Sequence, residues 1–362
     1  MKYRSENVLD AARRRMALVF DHFDRVVVSY SGGKDSTAVF WLAVAEAERR
    51  GRMIEVFFLD QEAEYAGTVE MVRSVLAHPL VSPLWFQVPL MMTNATSYDH
   101  PFLYAWGPGE QWMREKEPCA VHEIGEKYPE RFYGFFEWYE QQVTEKTAFL
   151  IGLRTSESLN RFRSVTKNAG WRGIHWSTKT KGGFGASAFR FYPIYDWMYP
   201  DVWKFIVDSG VKYHPVYDKL FCLRGGRSKD IRISNLIHEN AFVCLAELQE
   251  VEPQTYDKLC RRLHGVHSAA IYAREGAMYN ALELPAGFTS WGAYRDYLLA
   301  SAPMDDKHRG RLQKRFDGQP KVEEVFRQQA RQVLLCDWEN NIPVNTRVKS
   351  KADVRALWWD KL

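Results

Sequence analysis

The residues with the greatest capacity for chemistry lie within VVVSYSGGKDSTAVFWLA, residues 26–43. A short β-branched run ends at Tyr30, six polar or glycine residues follow from Ser31 to Ser36, and helical periodicity resumes at Thr37. A parallel strand delivers its C-terminal end to the sheet edge where ligands collect. The helix that follows starts with unpaired N–H groups and a partial positive charge. Gly32 and Gly33 have no Cβ, so the backbone there can come close to a ligand. Ser31 and Ser36 add hydroxyl donors and Lys34 a full positive charge, which together suit a phosphate group. Charged hydrogen bonds of this kind contribute about 1.5–3 kcal/mol each. The loop is not a Walker A motif, because GxxxxGK[ST] is absent. Asp35 would repel a phosphate unless a cation intervened, which points to Mg²⁺. The plainer alternative is an ordinary strand–helix turn capped by Asp35 or Ser36.

Such a loop needs a sheet and helices to hold it, and the surrounding sequence supplies the pattern. Residues 7–24 have helical spacing, then Val26–Tyr30, Ile54–Leu59, Leu84–Val88 and Ala148–Ile151 read as short apolar strands. Between them Thr37–Arg50 and Ala66–Ala77 are amphipathic and helical. This alternation predicts an α/β fold with a parallel, doubly wound sheet. Residues 90–147 interrupt it with aromatic, Pro- and Gly-containing text and read as an insertion. From about 233 to 362 the chain is mainly helical in pattern. The expected organisation is a nucleotide-binding α/β domain over 1–232 and a helical C-terminal region over 233–362.

Composition narrows the class. The 362 residues carry a net charge of +4, too small to announce a nucleic-acid binder by itself. Five cysteines with no CxxC pair argue for reduced thiols, hence a cytoplasmic location, rather than a disulfide framework. The first 25 residues hold acids and a three-arginine run instead of a secretory apolar core. No segment approaches the roughly 20 apolar residues of a membrane span.

SGGKDS after an apolar strand resembles the PP-loop of the N-type ATP pyrophosphatase and phosphoadenosine-phosphosulfate (PAPS) reductase superfamily, whose fold is of the adenine nucleotide alpha hydrolase (HUP) type. Three further stretches agree: VFFLDQEAEYAGT, IGLRTSESLNRFR and FYPIYDWMYPDVWKFIVDSGVKYHPVYDK. The resemblance implies that Ser31, Gly32, Gly33, Lys34, Asp35 and Ser36 cradle phosphate, with adenosine near Tyr30 and Asp60. It makes Arg154, beside Gly152, a second phosphate clamp helped by Arg161 or Arg163. It implies ATP as ligand, catalytic roles for Lys34, Asp35 and Arg154, and Mg²⁺ on Asp35 and Glu62. Arginine suits the clamp because its planar fork engages two phosphate oxygens.

The match fails for reduction. No Glu-Cys-Gly-type nucleophile and no cysteine set for an iron–sulfur cluster is present, so no cluster is expected; Cys222, flanked by Arg224 and Arg227, reads mainly as a small buried residue. An intact Lys and Asp imply cleavage of ATP between the α- and β-phosphates, with the adenylyl group passed to an acceptor not visible in the sequence. A thiol-dependent PAPS or adenylyl-sulfate reductase is the weakest alternative.

The insertion, with QWMRE at 111–115, and the long tail look like a branch that includes immunoglobulin-binding-regulator-type co-activators. That likeness implies a nucleotide-sensing regulator acting with a ParB/sulfiredoxin-like partner. Residues 154–190 hold eight Lys or Arg against one acid, with Trp171 and Trp176 interleaved. They offer a nucleic-acid surface, cations for backbone phosphates and indoles for stacking on bases.

Overall fold

The central sheet of the computed structural model has six strands in the order β3-β2-β1-β6-β8-β7. The structure describes residues 6–94, 96–97, 99–166, 170–180, 188–226, 231–237, 242–273, 283–338, 340 and 344–346. Strands β1 (Arg25–Ser29), β2 (Ile54–Leu59) and β3 (Val81–Phe86) lie on one side. After β4 (Leu90–Thr93) and β5 (Phe102–Ala105), which pair in a separate two-stranded sheet, the chain returns to the other side of β1. There it forms β6 (Thr147–Ile151), then β7 (Ser177–Lys179) and β8 (Ala188–Phe191). All pairings in the large sheet are parallel except β7 with β8. The expected parallel, doubly wound sheet is therefore present, with β7 as an antiparallel edge.

This order puts a topological switch between β1 and β6. The chain leaves β1 toward β2 on one side and comes back to β6 on the other. Ligands of open α/β sheets bind at the carboxyl ends of strands flanking such a switch. Helix α1 (Val8–His22) packs on α2 (Lys34–Arg50), and α2 on α6 (Tyr199–Ser209). Val26, Val28, Val56, Ala148 and Leu150 are almost wholly buried with Phe40, Phe191, Trp171, Trp176 and Trp197 in one core. Near-continuous apolar strands are what covering both faces requires.

Two compact units emerge: residues up to 91 with 104–235, and 92–103 with those from 236 on. In the second, α11 (Trp291–Ser301) packs against α13 (Glu323–Leu334). Its core includes Leu298, Leu312, Phe316, Val333 and Trp338. No described helix is long and apolar enough to cross a membrane.

Candidate functional site

Helix α2 begins at Lys34 with Gly33 as its N-cap, three residues before the apolar periodicity shows it. Asp35 and Ser36 thus belong to the first helical turn rather than to the loop, and neither is the cap. Gly32 has φ +72°, the left-handed region that favours glycine, and its α-carbon faces Thr68 on α3 (Ala66–Leu76). The loop is braced by its own hydroxyls. Ser31 donates its N–H to Ser36 Oγ at 3.2 Å, and Ser36 Oγ donates to the Gly33 carbonyl at 3.0 Å. Among the described residues the N–H groups of Gly32 and Gly33 meet no acceptor. Two backbone donors at a helix start therefore remain for an anion.

The switch strand closes on this turn. A Cβ on Gly152, just past β6, would stand 2.8 Å from the carbonyl carbon of Asp35 and from the amide of Ser36. The strand end and the helix start touch backbone to backbone. Gly152→Ala is expected to force them apart, costing about 2 kcal/mol as overpacking does. The checks are thermal melting and nucleotide affinity, and both should fall.

Two residues further, Arg154 reaches the same turn. Its Nε donates to Asp35 Oδ1 at 2.5 Å and its Nη2 to Glu157 Oε1 at 3.1 Å. Lys34 Nζ donates to Asp35 Oδ2 at 3.1 Å. Lys34 and Arg154 are only 3% and 4% exposed, so both cations act in a poorly hydrated site. Burial lowers the Lys34 ammonium pKa, Asp35 works against that, and the Arg154 and Arg232 charges lower it further. Arg161, on α5 (Leu159–Thr166), pairs with Glu157. The structure therefore links Lys34, Asp35, Arg154, Glu157 and Arg161 through successive ion pairs.

Other expected site residues have different employment. Tyr30 is buried beneath the loop, its ring edge-on to Phe40 and its hydroxyl 3.2 Å from Thr37 Oγ1, so it supports the turn instead of facing an adenosine. Asp60 is fully buried. It accepts from the Glu62 amide, Trp85 Nε1, Gln87 Nε2 and Arg114. Glu62, at φ +67°, accepts from the backbone amides of Trp106 at 2.9 Å and Met113 at 3.0 Å. Both carboxylates fasten the insertion to the end of β2, which corrects their reading as ribose or metal ligands. No described group of three or more His, Cys, Asp or Glu is placed to hold a metal ion. Asp35 and Glu62 do not make a resident Mg²⁺ site. A divalent cation would find its ligands here on a bound phosphate chain.

The nucleic-acid reading of residues 154–190 also changes. Trp171 and Trp176 lie in the main core and cannot stack on bases. Arg154 is buried, and Arg190 is held by both oxygens of Glu140 at 2.6 Å. Lys167, Lys181, Arg227 and Lys229 lie outside the described residues. Cys222, read as a buried packing residue, is exposed.

Sequence reasoning passed over Tyr217. On α7 (Val216–Leu223), its ring lies 5.5 Å below the Lys34 ammonium and its hydroxyl accepts the Lys34 amide at 3.1 Å. It serves the helix start as a cap residue would. His214, three residues earlier, meets Thr68 Oγ1 at 3.0 Å and accepts from the Val216 amide. Burial pushes its pKa down to about 4, so the imidazole is neutral and braces α3 against Gly32. The His-Pro-x-Tyr signature in the sequence was the available signal.

Residues 25–229, more than half of the chain, match the sequence model of the phosphoadenosine phosphosulfate reductase domain. The chain belongs to this family. Residues 225–319 match a domain of unknown function, DUF3440. The uncharacterized protein YbdN of Escherichia coli strain K12 is 29% identical over 313 residues, covering 82% of this chain and 76% of YbdN. Among solved structures, Candida glabrata FMN adenylyltransferase in complex with FMN and the ATP analogue AMPCPP is 13% identical, with a TM-score of 0.37. That match covers 60% of this chain and 64% of the adenylyltransferase, under two thirds of its length. The phosphate complex of phosphoadenylyl-sulfate reductase from Candida auris is 10% identical, with a TM-score of 0.30, and the match covers 65% of this chain and 97% of that one. This family's glycine loop is the one assembled here at the β1–β6 switch.

Proposed function

We propose that this protein binds ATP at the loop of residues 31–36 and cleaves it between the α- and β-phosphates, transferring the adenylyl group to an acceptor. One arrangement carries the reading: the free amides of Gly32 and Gly33 and the buried cations Lys34 and Arg154 converge on the start of α2. In the transfer step an acceptor nucleophile attacks the α-phosphorus. The bond from that phosphorus to the bridging oxygen breaks, and pyrophosphate leaves with the electron pair. Lys34 uses one of its three N–H donors on Asp35. The other two, with Arg154, are available to oppose the charge that grows on the departing oxygens. Such stabilisation is strongest where water is excluded. Asp35, held from both sides by Lys34 and Arg154, keeps the two cations apart and oriented.

The test is incubation with α-labelled ATP and candidate acceptors, reading pyrophosphate release and label transfer. Release that survives in the Lys34→Ala variant would remove the loop from the reaction.

A thiol-dependent reduction has one observation in its favour: Cys222 is exposed, on the same helix as Tyr217. The adenylyl-transfer reading expects Cys222→Ser to keep pyrophosphate release within about twofold of wild type. A dead Cys222→Ser protein would instead favour the thiol mechanism.

A further inference from the structure

The first compact unit does not stop where the reductase-domain match stops. Residues 231–235 lie beyond that match, inside the stretch assigned to the domain of unknown function, yet they pack on the nucleotide loop's own neighbours. Asn235 is buried. Its Nδ2 donates to the Ala63 carbonyl at 3.0 Å and to Glu64 Oε1 at 3.3 Å, which anchors the segment behind β2. Three residues earlier, Arg232 Nη2 donates to the carbonyl of Glu157 at 3.1 Å. Glu157 already serves Arg154 and Arg161 with its carboxylate. The result is a crowd of four cations, Lys34, Arg154, Arg161 and Arg232, around two carboxylates, Asp35 and Glu157.

Like charges brought together this way oppose one another. The Arg161 pKa is lowered by burial first and by the Arg232 charge next, and the Arg232 charge also lowers that of Lys34. Arg232 is exposed on its outer side, so its charge was free to face solvent elsewhere. Its backbone tether to Glu157 holds it at the site, and Asn235 fixes the approach of the chain. An arrangement with two uncompensated positive charges is matched by an anion larger than one phosphate held on the glycine loop.

We infer that Arg232, with Arg161, forms a second phosphate subsite, so that the segment after the reductase-domain match selects nucleotides bearing more than one phosphoryl group. This rests on the nucleotide reading above. The second phosphoryl group could belong to the 5′-polyphosphate chain or to a 3′-phosphate, and the chemistry of recognition is the same for both. Lysine at 232 would keep the charge and lose the fork, so it should recover only part of the affinity.

Calorimetric titration of the full chain with AMP, ATP and adenosine 3′,5′-bisphosphate separates these cases. For Arg232→Gln, ATP or the bisphosphate is expected to bind about tenfold more weakly, while AMP stays within twofold. Selective loss for ATP assigns the subsite to the 5′ chain, and selective loss for the bisphosphate assigns it to the 3′ position. Melting temperature, unchanged in the variant, reports that the fold is intact. Equal losses for all three ligands, or no loss, overturn the subsite while leaving the nucleotide reading standing. Wild-type protein that binds none of the three overturns that reading and the subsite together.

Discussion

Lys34→Ala is expected to lower pyrophosphate release from ATP by at least about 100-fold, the scale on which removing one preorganised donor to a developing oxyanion acts. The side chain is 3% exposed and its ammonium lies 5.5 Å from the ring centres of both Tyr199 and Tyr217. Part of any loss in the alanine variant could come from packing. Lys34→Met, which keeps the apolar stem between the two rings, isolates the charge. Both variants should lose turnover to a similar extent, and only the alanine protein should melt lower. Near-normal turnover in Lys34→Met would show that the ammonium does no chemistry, and the adenylyl-transfer mechanism would have to be abandoned. Removing Lys34 also leaves Asp35 paired with Arg154 alone, so nucleotide affinity should fall in parallel.

Glu64→Gln is expected to stabilise the protein at neutral and mildly alkaline pH. Burial, reinforced by the nearby Asp60 charge, pushes the Glu64 pKa up to about 8, with Asn235 and Arg114 pulling the other way. The folded-state pKa is thus above the unfolded value of 4.5. Between those values the folded chain holds a proton the unfolded chain has released, so stability is fully present below pH 4.5 and declines as pH rises toward 8. At pH 7 the accumulated loss is about 3 kcal/mol. Glutamine cannot ionise and still offers Asn235 an acceptor oxygen. The variant should match wild type near pH 4.5 and exceed it by about 3 kcal/mol at pH 7. Urea unfolding at several pH values measures this directly. Parallel stability–pH curves for the two proteins would place the Glu64 carboxyl in a solvated, ionised state and reject the assignment.

The sheet was legible because burial on both faces leaves a plain mark. Ile54–Leu59 and Ala148–Ile151 are apolar almost throughout, and the structure starts the second only one residue earlier, at Thr147. The short strands β7 and β8 were missed. Ser177–Lys179 is an antiparallel edge with too few residues to show a period, and Ala188–Phe191 carries Arg190, whose charge is matched by Glu140 far away in sequence. The glycine loop and Arg154 were legible for a different reason: glycine beside lysine and aspartate at a strand end has few other uses. Asp60 and Glu62 were misread because a carboxylate at a strand's C-terminal end looks the same whether it faces ligand or backbone. Only the position of Trp106, Met113 and Arg114 decides between them, and that is tertiary information. Tyr217 and Arg232 act through groups about 180 and 75 residues away along the chain, beyond the reach of local pattern.

The way Asp60 and Glu62 grip residues 106–114 has a consequence for engineering. Surface insertions in α/β proteins are commonly treated as cassettes that can be trimmed or exchanged. Here the excised piece would carry off an arginine and two backbone donors, stranding two acids in an interior with little else to neutralise them. A shortened chain would have to be redesigned at the end of β2 first, with Asp60 and Glu62 replaced by uncharged residues, before the graft could be tolerated.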